Sequence, residues 1–267
     1  MNEPSNNRLP HARGRRARTV GLALPVGAAT LRARLHVEPM RWRLADVVGP
    51  ARELADALSA ASVQDARRRG QDVPCRPGCC ACCRYAVPLS PPEAFRLAEE
   101  LALPPGAAGP VAERFASAEA RLTAAGSELG TAANGAPPSP EAVGRWYRGL
   151  DLPCPLLAGD RCRQYTTRPI ACRTYFATTP PALCAAPASR AGRRLPMPVS
   201  IVTALCRLAA EVEQREPEAV LLPMVPSWAA ANAGRGRRTW PAVELTERFV
   251  RILHEGAESP AADAPAA

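Results

Sequence analysis

The sequence predicts a mainly α-helical chain with an N-terminal β-hairpin, its helices forming a shell around an irregular, cysteine-rich centre. Three observations carry this. Residues 19–38 alternate apolar and polar with period two, several later segments place apolar residues at helical spacing, and the stretches between them are short, proline-rich and cysteine-bearing, with neither period.

Taken in order, residues 1–18 are polar and basic without periodicity and are expected to be a disordered tail. Val20, Leu22, Leu24 and Val26 alternate, GAA follows, and Leu31, Ala33, Leu35 and Val37 alternate again, which predicts a hairpin over 19–38 with one buried face. Leu44, Val47, Val48, Leu54, Leu58 and Val63 share one face of a long helix over 41–70, which Gly49-Pro50 should kink or split and Gly70 should end. Ser90-Pro91-Pro92-Glu93 reads as a capped helix start, with the helix stopping before Pro104. A second helix follows over 110–129, then the linker-like TAANGAPPSP, then a helix begun by SPEAVGRWYRGL. Residues 151–190 lose helical period. SIVTALCRLAAEVEQR and AVELTERFVRILHEG supply C-terminal helices over 200–256, and 257–267 is a low-complexity tail expected to be disordered. The folded part is expected to be a single domain over 19–256.

At 267 residues with aromatics at 4 %, core volume must come from Leu, Val and Ala. All 34 basic residues are arginine, in keeping with a GC-rich coding bias. The net charge of +9 is uneven: residues 1–43 hold nine arginines against Glu3 and Glu38, leaving 25 arginines against 23 acids for the remainder. The folded part is therefore near neutral, which argues against an extended nucleic-acid surface. No stretch approaches the apolar length of a membrane span. RRARTVGLALPVGAAT has the outline of an export signal, but its period-two alternation belongs to a strand, and the chain is expected to be cytoplasmic. In a reducing compartment clustered thiols are metal ligands or reactive groups more often than disulfides.

Nine of the ten cysteines fall into two groups. CRPGCCACC holds Cys75, Cys79, Cys80, Cys82 and Cys83; CPLLAGDRCRQYTTRPIACRTYFATTPPALC holds Cys154, Cys162, Cys172 and Cys184. Cys206 stands apart at an apolar helical position and reads as a small buried hydrophobe. Thiolates a few residues apart converge on one ion when Gly and Pro turn the chain, as Pro77-Gly78 would here. The adjacent pair Cys82-Cys83 suits two metal sites or one polynuclear cluster better than one mononuclear site. His11, His36 and His254 lie outside both groups, so ligation should be thiolate-rich, which suits zinc or an iron-sulfur cluster and disfavours an imidazole-rich hydrolytic site. Arg76, Arg84, Arg163, Arg168 and Arg173 are placed in sequence to offset thiolate charge, or are ordinary solvated surface. Cys79 and Cys82 also form a CxxC, without the βαβ context of a thiol oxidoreductase. Trp146, Tyr165 and Tyr175 read as core residues around the site.

CRPGCCACCRYAVPLSPPEAFRLA and CPLLAGDRCRQYTTRPIACRTYF together resemble the YkgJ-type cysteine-cluster family, whose CxxCxxCC domain is described as zinc- or iron-chelating. The resemblance spans roughly 73–184, the expected metal-binding core. It implies Cys75, Cys79, Cys82 and Cys83 as metal ligands from the first signature and Cys154, Cys162 and Cys172 from the second. Cys184 resembles a further cysteine of some members. The first spacing here is C-x3-C-x2-CC, one residue longer than the family pattern, and Cys80 is then the spare thiol. The resemblance implies zinc or iron, mononuclear or as an iron-sulfur cluster, and the metal ion as the partner; it names no protein partner. A related cysteine domain in a flagellin lysine methylase makes methyl transfer to a protein lysine an alternative, and metal storage or delivery a third. Whether the chain is an enzyme stays open, since no strand-associated GxGxG loop or doubly wound sheet is evident.

Overall fold

The computed structural model describes residues 17–101, 109–126, 138–185 and 193–258. The expected tails at 1–18 and 257–267 lie largely outside these, as does most of TAANGAPPSP. Arg18 itself opens the first strand.

Strands β1 (Arg18–Val26) and β2 (Ala29–Val37) pair antiparallel, with Leu22 opposite Ala33 and Leu24 opposite Leu31. Leu22, Leu24, Val26 and Val37 are buried, while Arg32, Arg34 and His36 face out, so the alternation did mark one core face. Gly27, at φ +59°, makes the turn.

The helix expected over 41–70 is shorter. Residues Arg41–Arg43 form β3, Leu44–Val47 a single 3-10 turn, and α1 runs Val48–Arg68. Gly49-Pro50 falls in the first turn of α1, where proline's missing N–H removes no hydrogen bond. What sequence reading took as the start of a helix is instead tied across the chain, Trp42 opposite Trp240 in a ladder with β8 (Thr239–Pro241).

β4 (Pro88–Leu89), α2 (Pro91–Leu101), α3 (Gly109–Ala125) and α4 (Pro140–Gly149) follow. The cap expected at Ser139 is present, its hydroxyl accepting the Ala142 N–H at 3.3 Å. Next come β5 (Leu157–Ala158), β6 (Arg161–Cys162), α5 (Ile170–Arg173) and α6 (Pro181–Ala185). The C-terminal part comprises α7 (Ile201–Glu213), β7 (Val220–Leu221), α8 (Val225–Ala231), α9 (Ala233–Gly236) and α10 (Ala242–Glu258). No described helix is long and apolar enough to cross a membrane.

The main core gathers the inner face of the hairpin, Leu54 and Leu58 of α1, Leu205 and Leu208 of α7, and Leu245, Phe249 and Leu253 of α10. α10 packs on both β1 and α7. Ile170, fully buried, belongs to the same core and anchors the short helix that carries Cys172. A second cluster, around Leu89, Leu97, Phe115, Leu156 and Val220, lies beneath the cysteine segments. The irregular centre is thus held from two sides by apolar packing to which it contributes Leu156 and Ile170.

Candidate metal centre

The first cysteine run is a pair of turns. The Cys79 N–H donates to the Arg76 carbonyl at 3.1 Å across Pro77-Gly78, with Gly78 at φ +86°, and the Cys83 N–H donates to the Cys80 carbonyl at 2.9 Å. The second run folds back onto it: the Cys154 N–H donates to the Cys83 carbonyl at 2.8 Å. Cys162 lies opposite Leu157 in the β5–β6 ladder, and the Cys172 N–H closes the first turn of α5 on Pro169.

These backbone constraints bring the thiols of the two signatures together. Cys154, Cys162 and Cys172 pack beside one another on the second apolar cluster. Cys82 lies within electrostatic reach of Cys154 and Cys172, and also of Cys75 and Cys184. Cys79 neighbours Cys75 and Cys184, and Cys83 hydrogen-bonds the Cys82 thiol. All eight sequence-predicted positions therefore belong to one neighbourhood. Of the other two cysteines, Cys80 also neighbours Cys79 but turns its thiol outward, and Cys206 is remote. The Cys80 thiol donates to the Asp160 carboxylate at 3.6 Å, and Cys206 is buried in α7 with Glu93 and Glu218 as its charged neighbours. All ten cysteines are unbridged.

Among the described residues no three Cys, His, Asp or Glu side chains stand at metal-ligating geometry. The thiols are gathered without being closed on a point. Burial and mutual proximity make these crowded sulfurs resist charging. The thiol-to-thiol contact with Cys83, then burial, pushes Cys82 far above the ordinary thiol range, and burial pushes Cys154 up to about 11 and Cys172 well up. A cation supplies the charge that lets such thiols give up their protons and draw in.

The surroundings fit that role. Arg168 Nε, the Tyr175 hydroxyl and the Thr179 hydroxyl are buried with no hydrogen-bond partner among the described residues. Each borders a thiol of the centre. The Arg168 charge opposes the upward shift of Cys82, Cys162 and Cys172, Thr179 lies against Cys184, and Tyr175 lies against Cys184 and Cys82. Tyr175 packs edge-on against Tyr85, with ring centres 5.6 Å apart. The Tyr85 hydroxyl is committed elsewhere, donating to the Cys184 carbonyl and accepting from Arg148, both at 2.6 Å. Buried donors without acceptors are costly, and thiolates would satisfy them.

Arg84 and Arg173 do not serve the thiols as their sequence positions suggested. Arg84 pairs with Asp151 at 2.9 Å. Arg173 is buried and structural: it binds Asp56 at 2.6 Å, the Arg168 carbonyl at 2.9 Å and the Thr166 carbonyl, while the Ser59 hydroxyl binds its own carbonyl. Tyr165 is not a core residue; it is exposed, with the Arg168 guanidinium 4.3 Å from its ring centre. Sequence reading missed the contribution of Glu93 beyond its own helix. Its buried carboxylate accepts the Ile170 N–H at 2.8 Å, capping α5 from α2, as well as the Ser90 hydroxyl at 3.2 Å. Ser90-x-x-Glu93 announced a local cap; nothing nearby in sequence announced the distant one. Arg148 and Thr179 gave no signal at all.

Residues 74–188 match the family model CxxCxxCC, described as "Putative zinc- or iron-chelating domain". No curated protein and no solved structure matches the chain.

Proposed function

We propose, from the membership of residues 74–188 in the CxxCxxCC family, that this protein holds zinc or iron through Cys75, Cys79, Cys82, Cys83, Cys154, Cys162, Cys172 and Cys184. The observation that carries the reading is the convergence of two distant cysteine runs, fixed by the Cys154–Cys83 backbone bond and bordered by the unpartnered donors Arg168, Tyr175 and Thr179.

The role of the metal is first structural. Residues 151–185 contain only short strands and helices, so the free energy of ion binding would help organise a segment with little regular structure of its own. A bound zinc would cross-link the two runs; an iron-sulfur cluster in their place would add electron transfer. The protein's own groups hold the sulfurs apart from solvent, orient α5 and offer hydrogen bonds to the thiolates. Thiolate ligation of this kind belongs in a reducing, cytoplasmic setting, and residues 19–256 would act as one unit around it.

Elemental analysis with an absorption spectrum, on protein purified without oxygen, tests the reading. Stoichiometric zinc in a colourless protein, or iron with thiolate charge-transfer bands, is the expected result. A metal-free, folded protein whose cysteines all react freely with a thiol reagent would overturn it. An iron-sulfur protein modifier, a lysine methyltransferase among them, would further require a methyl donor to bind. A groove of about 610 Å³ between α2, α3 and the α8–α9 segment is lined by Phe95, Val111, Phe115 and Ala229 and by no cysteine, so it offers no such pocket beside the thiols. A storage or delivery role would show as rapid exchange with a chelator.

A further inference from the structure

The groove between α2, α3 and the α8–α9 segment takes no part in the metal reading, and its floor is apolar and fixed. Phe95 of α2 and Phe115 of α3 are both buried there. Phe95 is pinned: its ring centre lies 5.0 Å from that of Trp228, and Gly236 seats so closely that a Cβ there would come within 3.0 Å of the ring. The walls are cut back to small side chains, with Ala112 and Ala116 of α3 and Ala230 of α8 exposed along them.

Four charged residues also line the groove, Arg43, Glu99, Glu119 and Arg237. Three are committed. Arg43 pairs with Glu99 and with Asp46, and Glu119 accepts the Ser227 hydroxyl. The exposed Arg237 guanidinium has no ion pair, hydrogen bond or aromatic ring among the described residues. An apolar floor with one uncommitted positive charge is complementary to a molecule that is apolar along its body and anionic at one end. The volume of about 610 Å³ falls within the range of small-molecule sites, about 300–1,000 Å³. It equals little more than one turn of a helix about 10–12 Å across, whereas a docked partner helix needs anchors over two turns or more.

We propose that this groove binds an unbranched aliphatic monocarboxylate of medium length, its chain lying over Phe95 and Phe115 and its carboxylate meeting Arg237. Removing methylenes from water drives the association, and the single charge selects the acid over the matching alcohol. The site is separate from the thiols and stands whether or not they hold metal.

Calorimetric titration of the full chain with dodecanoate tests this. One dodecanoate per chain is expected, with decanoate about 15-fold weaker, because each methylene is worth about a factor of four. Dodecanol should bind about fivefold more weakly than dodecanoate, and Arg237→Ala should weaken dodecanoate by about the same factor, the scale of an exposed ion pair. Ala116→Trp places a ring into the groove from an exposed position and should abolish binding, with metal content and circular dichroism unchanged. The wild-type series of decanoate, dodecanoate and dodecanol depends on no variant folding. No saturable uptake by the wild type, dodecanol binding as tightly as dodecanoate, or undiminished binding in Ala116→Trp would overturn the inference. A dimer, seen by light scattering, that Ala116→Trp disperses and dodecanoate does not would overturn it too, assigning the groove to a second copy of the chain.

Discussion

The amide of Cys154 donates to the carbonyl of Cys83 over 2.8 Å, so the last thiol of the first run and the first thiol of the second are joined through their backbones rather than through their sulfurs. The main chain thus sets how far apart the two halves of the centre can drift when their sulfurs are free.

Cys82→Ser removes the thiol that neighbours Cys75, Cys83, Cys154, Cys172 and Cys184. The expected outcome is loss of most bound metal together with a lower thermal midpoint, read by elemental analysis and calorimetry on the same sample. Full metal retention in this variant would count heavily against the ligand set.

Arg168→Gln removes the cationic charge that opposes thiol protonation at Cys82, Cys162 and Cys172. Residues behind a ligand shell commonly change metal affinity by about 10- to 100-fold, and a loss in that range is expected in a chelator competition. Arg168→Lys, which keeps charge without the planar fork, should recover part of it.

Glu93 tests the positioning of α5. Glu93→Ala leaves the buried Ile170 N–H and the Ser90 hydroxyl without their acceptor, which costs about 1–3 kcal/mol in denaturant unfolding, with Glu93→Gln milder. Burial raises the Glu93 carboxyl above the ordinary carboxylate range, against the opposing hydrogen bonds. A raised folded-state value means that the native state holds the proton more tightly than the unfolded chain. Its contribution to stability is then full below the ordinary carboxylate pKa and is lost as pH climbs through the raised value. Glu93→Gln should flatten that part of the stability profile, and an unchanged slope would show that burial is not what governs this group.

Gly27→Ala is independent of the metal. The turn places Gly27 at φ +59°, and a Cβ there would meet the Asp65 carboxylate, the nearest oxygen being only 2.3 Å away. Asp65 is buried and already bound to Arg68 and Arg69 at 3.2 and 2.9 Å, so it cannot move freely. The left-handed backbone alone costs about 1–2 kcal/mol, and displacement of Asp65 should add to it, with metal content unchanged.

Removing metal with a chelator should raise hydrogen exchange across residues 151–185 far more than in α10, which packs on α7 and the hairpin. Equal exposure everywhere would make the thiol region an integral part of the main core.

How much of this was legible in the sequence depended on range. The hairpin was, because Val20 to Val26 and Leu31 to Val37 write their burial in a period of two. Cys206 was, because its helical apolar setting is local. The β3–β8 ladder was not: strands of three residues have no period, and Trp42 meets Trp240 only through the fold. Arg173 misled for the same reason. Its position beside Cys172 suggested charge compensation, yet its guanidinium turns to Asp56 on α1, a partner that chain proximity cannot reveal. The assembly of the two cysteine runs was legible as an expectation, because two separated clusters of thiols with Gly-Pro turns suggest one shared centre.

The packing of α10 on β1 also has a temporal side. β1 is synthesised near the start and α10 near the end, and Arg18 reaches Glu247 at 2.6 Å across that seam. Every thiol of the centre, through Cys184, has therefore been made before the helix that closes the main core exists. During translation the nascent chain therefore presents both cysteine runs under a hairpin still waiting for its partner, and the two runs can meet before the main core closes.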